Sequence, residues 1–360
     1  MKKVLSLILV FIMPLTLMLV GCSKPESGAA SDSADKVYTL KVNTHCPETI
    51  PPGMITQMAA DKAAELSNGR LKFEVYFSGN MVAYDDTFIG TADKVVDIAM
   101  VDASMIAQSF VVNQVFSKPL KVTPPARQKT TNAYREFLNN NPDLNKEFES
   151  VGVRWLSVSA LAGYNIHTKD KEIKTPEDLK GLKLESIGDA VSYFTTMGSA
   201  ATAMDPGEYY TSLEKNMIDG QATHWAVLNN FATLDFEKYH TIFGELGEDG
   251  DGGLYAPSIG FIINSQTWES LPADLQDILV ESFSYGLDEM ASMDIPIIEE
   301  AKKICTDRGD TFVYVKGDDL KPWHDWMDVS NKEWFDACKK LGYDGEALYN
   351  DLCEAIKAQW

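Results

Sequence analysis

Residues 54–77 read MITQMAADKAAELSNGRLKFEVYF, and two patterns inside them decide the fold class. The first, 54–67, is a run of helix formers closed by Asn68-Gly69, a pair that tolerates the left-handed backbone of a helix stop. The second sets Leu71, Phe73, Val75 and Phe77 against polar neighbours, the period-two mark of a half-buried strand. Upstream, Leu40-Lys41-Val42 reads as a strand, and the Pro-Pro-Gly turn at 51–53 leads from it into the helix. Downstream, a helix-like stretch at 86–94 precedes the apolar run 95–101. Two strand–helix–strand units in a row predict parallel pairing with right-handed crossovers.

The middle of the chain repeats the theme. Residues 154–161 are strand-like. Thr175-Pro176-Glu177-Asp178 opens a short helix with a capping Thr, a Pro at the first helical position and an acid reaching back. Gly181 stops it, and 182–184 continue as strand. Helices are predicted after Asp189, at 206–215 and from Trp225, with a turn at Asp219-Gly220. Residues 259–263 are apolar and β-branched, the signature of a buried strand. A long helical pattern then covers 272–305, with Pro296 as a kink point. A strand at 311–315 follows, and then helices whose Trp323, Trp326, Trp334 and Tyr343 read as core. No fixed-period repeat is visible. Alternating elements over this length predict an α/β protein of two lobes, with a ligand cleft outside the carboxyl ends of the strands.

The first residues address the compartment. Lys2 and Lys3 precede an apolar run at 4–20, and LVGC (19–22) follows. Small residues before a cysteine suit a lipoprotein signal peptidase, and Pro14 with no basic stop-transfer flank argues against a spanning helix. The expectation is a signal peptide at 1–21, lipidation of Cys22, and a flexible tether at 22–36 rich in Ser, Ala, Gly and Asp. A solute-binding body at 37–360 remains, and at 45% hydrophobic residues the chain can fill real cores.

Net charge is −21, two units more negative once Lys2 and Lys3 leave with the leader. A body this acidic is repelled by phosphate backbones and anionic headgroups, so no nucleic-acid partner is expected and membrane attachment falls to the lipid. Besides Cys22 the cysteines are Cys46, Cys305, Cys338 and Cys353. They read either as free buried thiols or, for the last three, as partners of a disulfide. No G-x-S-x-G, H-E-x-x-H, Walker loop or G-x-G-x-x-G stands in the chain. No catalytic residue, metal site or cofactor is therefore predicted. The loop EDGDGG (248–253) lacks the fifth-position oxygen and the closing Glu of a calcium loop and reads as a hinge or turn.

Five stretches carry a more specific pattern: NGRLKFEV (68–75) with SGNM (78–81), IKTPEDLKGLK (173–183), EYY (208–210), IDGQ (218–221) and NSQTWESLP (264–272). In this order and spacing the chain resembles the substrate-binding proteins of TRAP transporters, the dicarboxylate-binding (DctP) family, over essentially all of it from about Tyr38. The resemblance implies a periplasmic-binding-protein-like fold with a hinge cleft and a long bracing helix. Its first lobe would comprise roughly 37–155 with part of 255–300. The second would comprise roughly 156–254 with the C-terminal helices. It implies a receptor that closes on a small solute and docks on a sodium-driven permease. A lipid-anchored sensor for a receptor kinase, or a surface enzyme of unfamiliar chemistry, are the alternatives.

The departures from the family pattern bear on the solute. Where most members place a carboxylate-binding arginine after the Gly-Leu-Lys strand, this chain has Glu185. A second, less uniform arginine matches Asn165, and the asparagine after Asp-Gly-Gln-Glu matches Thr223, following Gln221 and Ala222. An arginine fork meets a carboxylate through two parallel hydrogen bonds, and a glutamate there reverses the preference. The expectation is a solute that is cationic or rich in donors, such as an amine, quaternary ammonium, amino alcohol or polyol. Glu185 and Asp102 would accept from it. Trp225, Tyr164, Tyr84 or Tyr255 would offer an aromatic face, and His45 would line the entrance. The bland alternatives are Glu185 in solvent or paired with Lys183, Trp225 in the core, Asp102 as a helix cap, and His45 as a loop residue.

Overall fold

Pro51-Pro52 at the head of the first helix and the left-handed Asn68 and Gly69 (φ 51° and 78°) at its end fix the first strand–helix–strand unit as the sequence predicts. The computed structural model describes residues 36–245 and 252–360. The leader, Cys22, nearly all of the tether and most of the 248–253 loop lie outside them. Among the described residues no helix is long and apolar enough to cross a membrane.

In chain order the first part comprises β1 (Tyr38–Asn43), α1 (Pro51–Leu66), β2 (Leu71–Tyr76), α2 (Thr87–Ala92), β3 (Ile98–Asp102), α3 (Ala103–Ser109), α4 (Arg127–Asn140), α5 (Pro142–Glu149) and β4 (Val153–Ala160). Then come β5 (Asn165–Thr168), β6 (Lys183–Glu185), α6 (Ala190–Thr196), β7 (Ala200–Thr202), α7 (Tyr209–Glu214), β8 (Gly220–Thr223), α8 (Trp225–Asn230) and β9 (Tyr239–Phe243). The chain ends with β10 (Ser258–Asn264), α9 (Ser265–Ser270), α10 (Ala273–Arg308), β11 (Thr311–Val315), α11 (Lys321–Lys340) and α12 (Gly345–Lys357).

Two sheets result, ordered β2-β1-β3-β10-β4 and β11-β9-β5-β8-β6-β7. β1 pairs parallel with β2 and β3, as two crossover units require, while β10 returns antiparallel between β3 and β4. The second sheet is likewise mixed, with β5 antiparallel to both β8 and β9. Every residue of β3 and β10 is buried, which is why both read as unbroken apolar runs. The predicted capping box at Thr175 is present, but it opens only a 3-10 turn, Pro176–Leu179, because Gly181 ends the segment before an α-helix can form. Asp219-Gly220 is no free turn. Gly220 starts β8, and a Cβ there would lie 2.2 Å from the carbonyl oxygen of His167 on β5, so the close strand approach demands glycine.

α10 braces the molecule. At 36 residues it spans about 54 Å. It packs against α1 and β4 of the first sheet's layer and against α8 of the second's. Pro296 lies inside it, and left-handed Gly309 closes it. The C-terminal helices span both sheets rather than keeping to the second. α11 meets α6, where Trp323 packs 4.8 Å from Phe243, whereas α12 lies on α4. Trp334 on α11 donates to the Val111 carbonyl, in the first sheet's layer. Cys46, Cys305, Cys338 and Cys353 are all buried free thiols, so no disulfide forms among them.

Candidate functional site

Strand ends from the two sheets face one cavity. His45 stands just past β1 and Asp102 ends β3, while Tyr84 precedes α2. Opposite them stand Tyr164, just before β5, Tyr209 at the head of α7, and His224, the residue after β8. α10 contributes Met290 and Asp294, and Leu161, Ile187, Val227, Phe231 and Ile259 supply most of the remaining apolar wall. The cavity volume is about 80 Å³.

The first-sheet side is built on Asp102. Its Oδ1 accepts from the backbone N–H of Ser104 (2.9 Å) and Met105 (3.2 Å), so it caps α3 and lines the cavity at once. The Tyr84 hydroxyl straddles both carboxylate oxygens at 2.9 and 2.8 Å. His45 Nε2 lies 3.7 Å from Oδ2, beyond hydrogen-bond range, which leaves that oxygen acceptor capacity on the cavity side. The His45 and Tyr84 rings meet edge to face, with centroids 5.1 Å apart. Burial pulls the His45 imidazole down, but the Cys46 thiol, Asp102 and Asp205 outweigh it and push the group up to about 9. Asp294 enters the cavity already held by a buried ion pair with Arg127.

Rings dominate the opposite side. Tyr164 lies 5.0 Å from Tyr255 and 5.4 Å from His224, and Tyr209 lies 5.6 Å from Phe231. His224 is held neutral: burial, with Arg127 adding, lowers its imidazole to about 3. Among the described residues, no Arg or Lys side chain lines the cavity.

Of the residues singled out from sequence, His45, Tyr84, Asp102 and Tyr164 meet at this wall. Glu185 does not line it, and both bland alternatives for it also fail. It is 1% exposed, and Lys183 pairs instead with Asp219. Gln221 Nε2 donates to Glu185 Oε2 at 3.2 Å, Tyr209 interacts with the same carboxyl, and Oε1 has no hydrogen-bond partner. Burial pushes this carboxyl up to about 8 against those hydrogen bonds. Glu185 thus acts on the cavity through Tyr209. Gln221 serves Glu185, and Thr223 is a side-chain partner of Tyr164. Tyr255 shares a 2.9 Å hydrogen bond with Ser186. Asn165 is spent on backbone, accepting from Phe243 N–H (3.0 Å) and donating to the Gly163 carbonyl (3.3 Å).

Trp225 is a correction. It offers no face to a ligand, because it is fully buried among His167 (4.6 Å), His240 (4.7 Å) and Phe312 (5.9 Å), where α8 seals against the second sheet. Sequence reasoning passed over Tyr209, His224 and Asp294 as cavity residues. Tyr209 stood inside the EYY stretch and His224 directly after Thr223, so the motif spacing held a signal for both; Asp294 had none. His240, Cys305 and Asp310 bring potential metal-ligand atoms within 4.8 Å of one another, but the Arg308 guanidinium donates to both oxygens of Asp310 (2.9 and 3.0 Å) and so supplies the positive charge there.

Comparison with known proteins agrees with this architecture. The family model described as bacterial extracellular solute-binding protein, family 7 (DctP), matches residues 43–337. The chain is 23% identical over 339 residues to the C4-dicarboxylate-binding periplasmic protein DctP of Vibrio cholerae, covering 92% of this chain and 96% of that one. A solute-binding protein of Chromohalobacter salexigens is 25% identical over 206 residues, 56% of this chain and 59% of the relative. Among solved structures, a TRAP solute-binding protein of Rhodoferax ferrireducens with benzoate superposes with a TM-score of 0.76 at 22% identity, covering 90% of this chain and 98% of that one. Another from Chromohalobacter salexigens, with D-glucuronate, gives 0.71 at 18%, covering 88% and 99%.

Proposed function

The chain belongs to family 7 of the bacterial extracellular solute-binding proteins, the receptors of TRAP-type transporters, and from that premise we propose that its solute is a small organic cation or a donor-rich neutral molecule. The observation that carries the reading is the cavity's charge. Asp102 and Asp294 line it, Asp294 paired with Arg127 and Asp102 standing 3.7 Å from His45; no Arg or Lys side chain lines it among the described residues, and the position where the family's arginine is expected holds Glu185, buried off the cavity. An ammonium or hydroxyl placed at Asp102 Oδ2 meets a carboxylate with capacity to spare. The faces of Tyr84, Tyr164 and Tyr209 add cation–π attraction of about 0.5–2 kcal/mol per well-placed ring. A solute carboxylate would find no guanidinium fork here.

Solute capture draws the two sheets' layers together, because contacts on both sides favour the closed state only when both are made. The loaded receptor then delivers to the membrane permease. Anchoring through Cys22 on the outer face of the cytoplasmic membrane supplements this proposal, supported by the LVGC leader, and the protein is a receptor rather than an enzyme. Metabolic labelling with an alkynyl fatty acid tests the anchor, since Cys22→Ala must abolish the label. Recovery of bound solute chemically unchanged tests the absence of catalysis.

Isothermal titration with choline, ethanolamine, glycerol, succinate and benzoate separates the solute classes. Binding of an amine or polyol, with succinate inert, is the expected result. Tight binding of succinate would overturn it. A second reading, an aromatic acid seated with its carboxylate on His45, draws on the ring-lined wall and on the benzoate held by the Rhodoferax relative. Preference for benzoate over choline selects it.

A further inference from the structure

We infer that Cys46 is a modification site inside the solute cavity, a thiol that exchanges with small disulfides and passes its proton to His45. Cys46 is 6% exposed and lines the cavity beside His45 and Asp102. Cys305, Cys338 and Cys353 line no part of that cavity, and burial pushes their thiols up to about 12, 11 and 11, where little thiolate exists at neutral pH. The imidazole beside Cys46 is placed to act. His45, the preceding residue, lines the same cavity; its Nε2 faces Asp102 at 3.7 Å and its Nδ1 is buried with no hydrogen-bond partner. A second cavity imidazole, His224, is 5% exposed and also keeps Nδ1 unpartnered. Among the described residues, each of these two imidazoles therefore keeps a ring nitrogen without a hydrogen-bond partner. A thiol, an imidazole on the adjacent residue with an unpartnered ring nitrogen, and a carboxylate behind that imidazole are the groups that activate cysteine elsewhere.

The exchange balances without an outside oxidant. The thiol proton moves to His45, and the sulfur attacks one sulfur of the disulfide. The disulfide S–S bond breaks as the mixed disulfide forms, and the departing thiolate takes up a proton. The half left on Cys46 fills the space meant for solute, so the modified receptor is shut. This goes beyond the choice of solute class and holds whether the solute is a cation, a polyol or an aromatic acid.

Treating the native full chain with cystamine, quenching in acid and mapping peptides by mass tests the site. The half-cystamine adduct is expected on Cys46 at least about tenfold faster than on Cys305, Cys338 or Cys353. His45→Gln should slow that adduct by about a hundredfold and flatten its pH–rate profile, at unchanged melting temperature. Cys46→Ser should carry no adduct at that position. Cys46 reacting no faster than the other three, or His45→Gln reacting with the wild-type rate and pH profile, overturns the inference. Iodoacetamide as a second, uncharged reagent must rank the cysteines in the same order.

Discussion

Asp102 carries two duties that separate cleanly by substitution. As the cap of α3 it accepts two backbone N–H groups, and as a cavity wall it offers Oδ2. Asparagine keeps the capping oxygen and removes the charge. Asp102→Asn should thus weaken cation binding by about 2–5 kcal/mol, roughly 30- to 4,000-fold, at nearly constant melting temperature. Asp102→Ala should lose the binding and about 0.5–2 kcal/mol of stability besides; titration calorimetry and thermal melts together check both. Glu185 has a different signature. Its folded carboxyl is raised from 4.5 to about 8 by burial, so the stability it contributes is complete below about pH 4.5 and is lost as pH rises through about 8. Each pH unit in that window costs up to about 1.4 kcal/mol. Glu237, also buried and raised, acts in the same direction. The difference between wild type and Glu185→Gln across pH 4.5–8 isolates Glu185, and parallel profiles for the two proteins would contradict its burial as a lone acid.

At the scale of elements, the α1–α10 contact governs how the brace holds the first layer. Gly286 on α10 sits where a Cβ would lie 2.8 Å from the Ile55 carbonyl oxygen and 3.1 Å from the Ala59 Cβ. In an exposed helix, Gly→Ala gains about 1 kcal/mol from propensity. Here the added methyl must push two helices apart, and overpacking costs about 1–3 kcal/mol. The clash wins, so Gly286→Ala should lower the melting temperature. A rise would show that the helices yield freely at this point. Elements were legible where local patterning and local need agree, as in α1, β2, β10 and the start of α10. α4 and α5 escaped notice because their buried faces answer to β4 and α12, partners distant in sequence. β5 and β9 escaped because each is only four or five residues long and entirely or almost entirely buried, with no alternation to display.

For the whole molecule, capture and closure are one equilibrium. At a hundredfold excess of solute over its Kd the receptor should gain about 2.7 kcal/mol against unfolding. Its radius of gyration by small-angle X-ray scattering should fall in the same titration; a bound solute with no compaction would sever binding from lobe closure. By itself the sequence determined that strands and helices alternate, that the first units cross over in parallel, that one long helix follows the last buried strand of the first sheet, and which family the motifs resemble. Those properties arise from side-chain period and turn chemistry, which act between near neighbours. Only the tertiary structure decided who lines the cavity. Trp225 turned into the core, Glu185 withdrew to a buried hydrogen bond with Gln221, and His224, Met290 and Asp294 came forward. These placements depend on how segments from tens to hundreds of residues apart pack, and no local pattern encodes the direction a side chain takes once two sheets and a bracing helix meet around it.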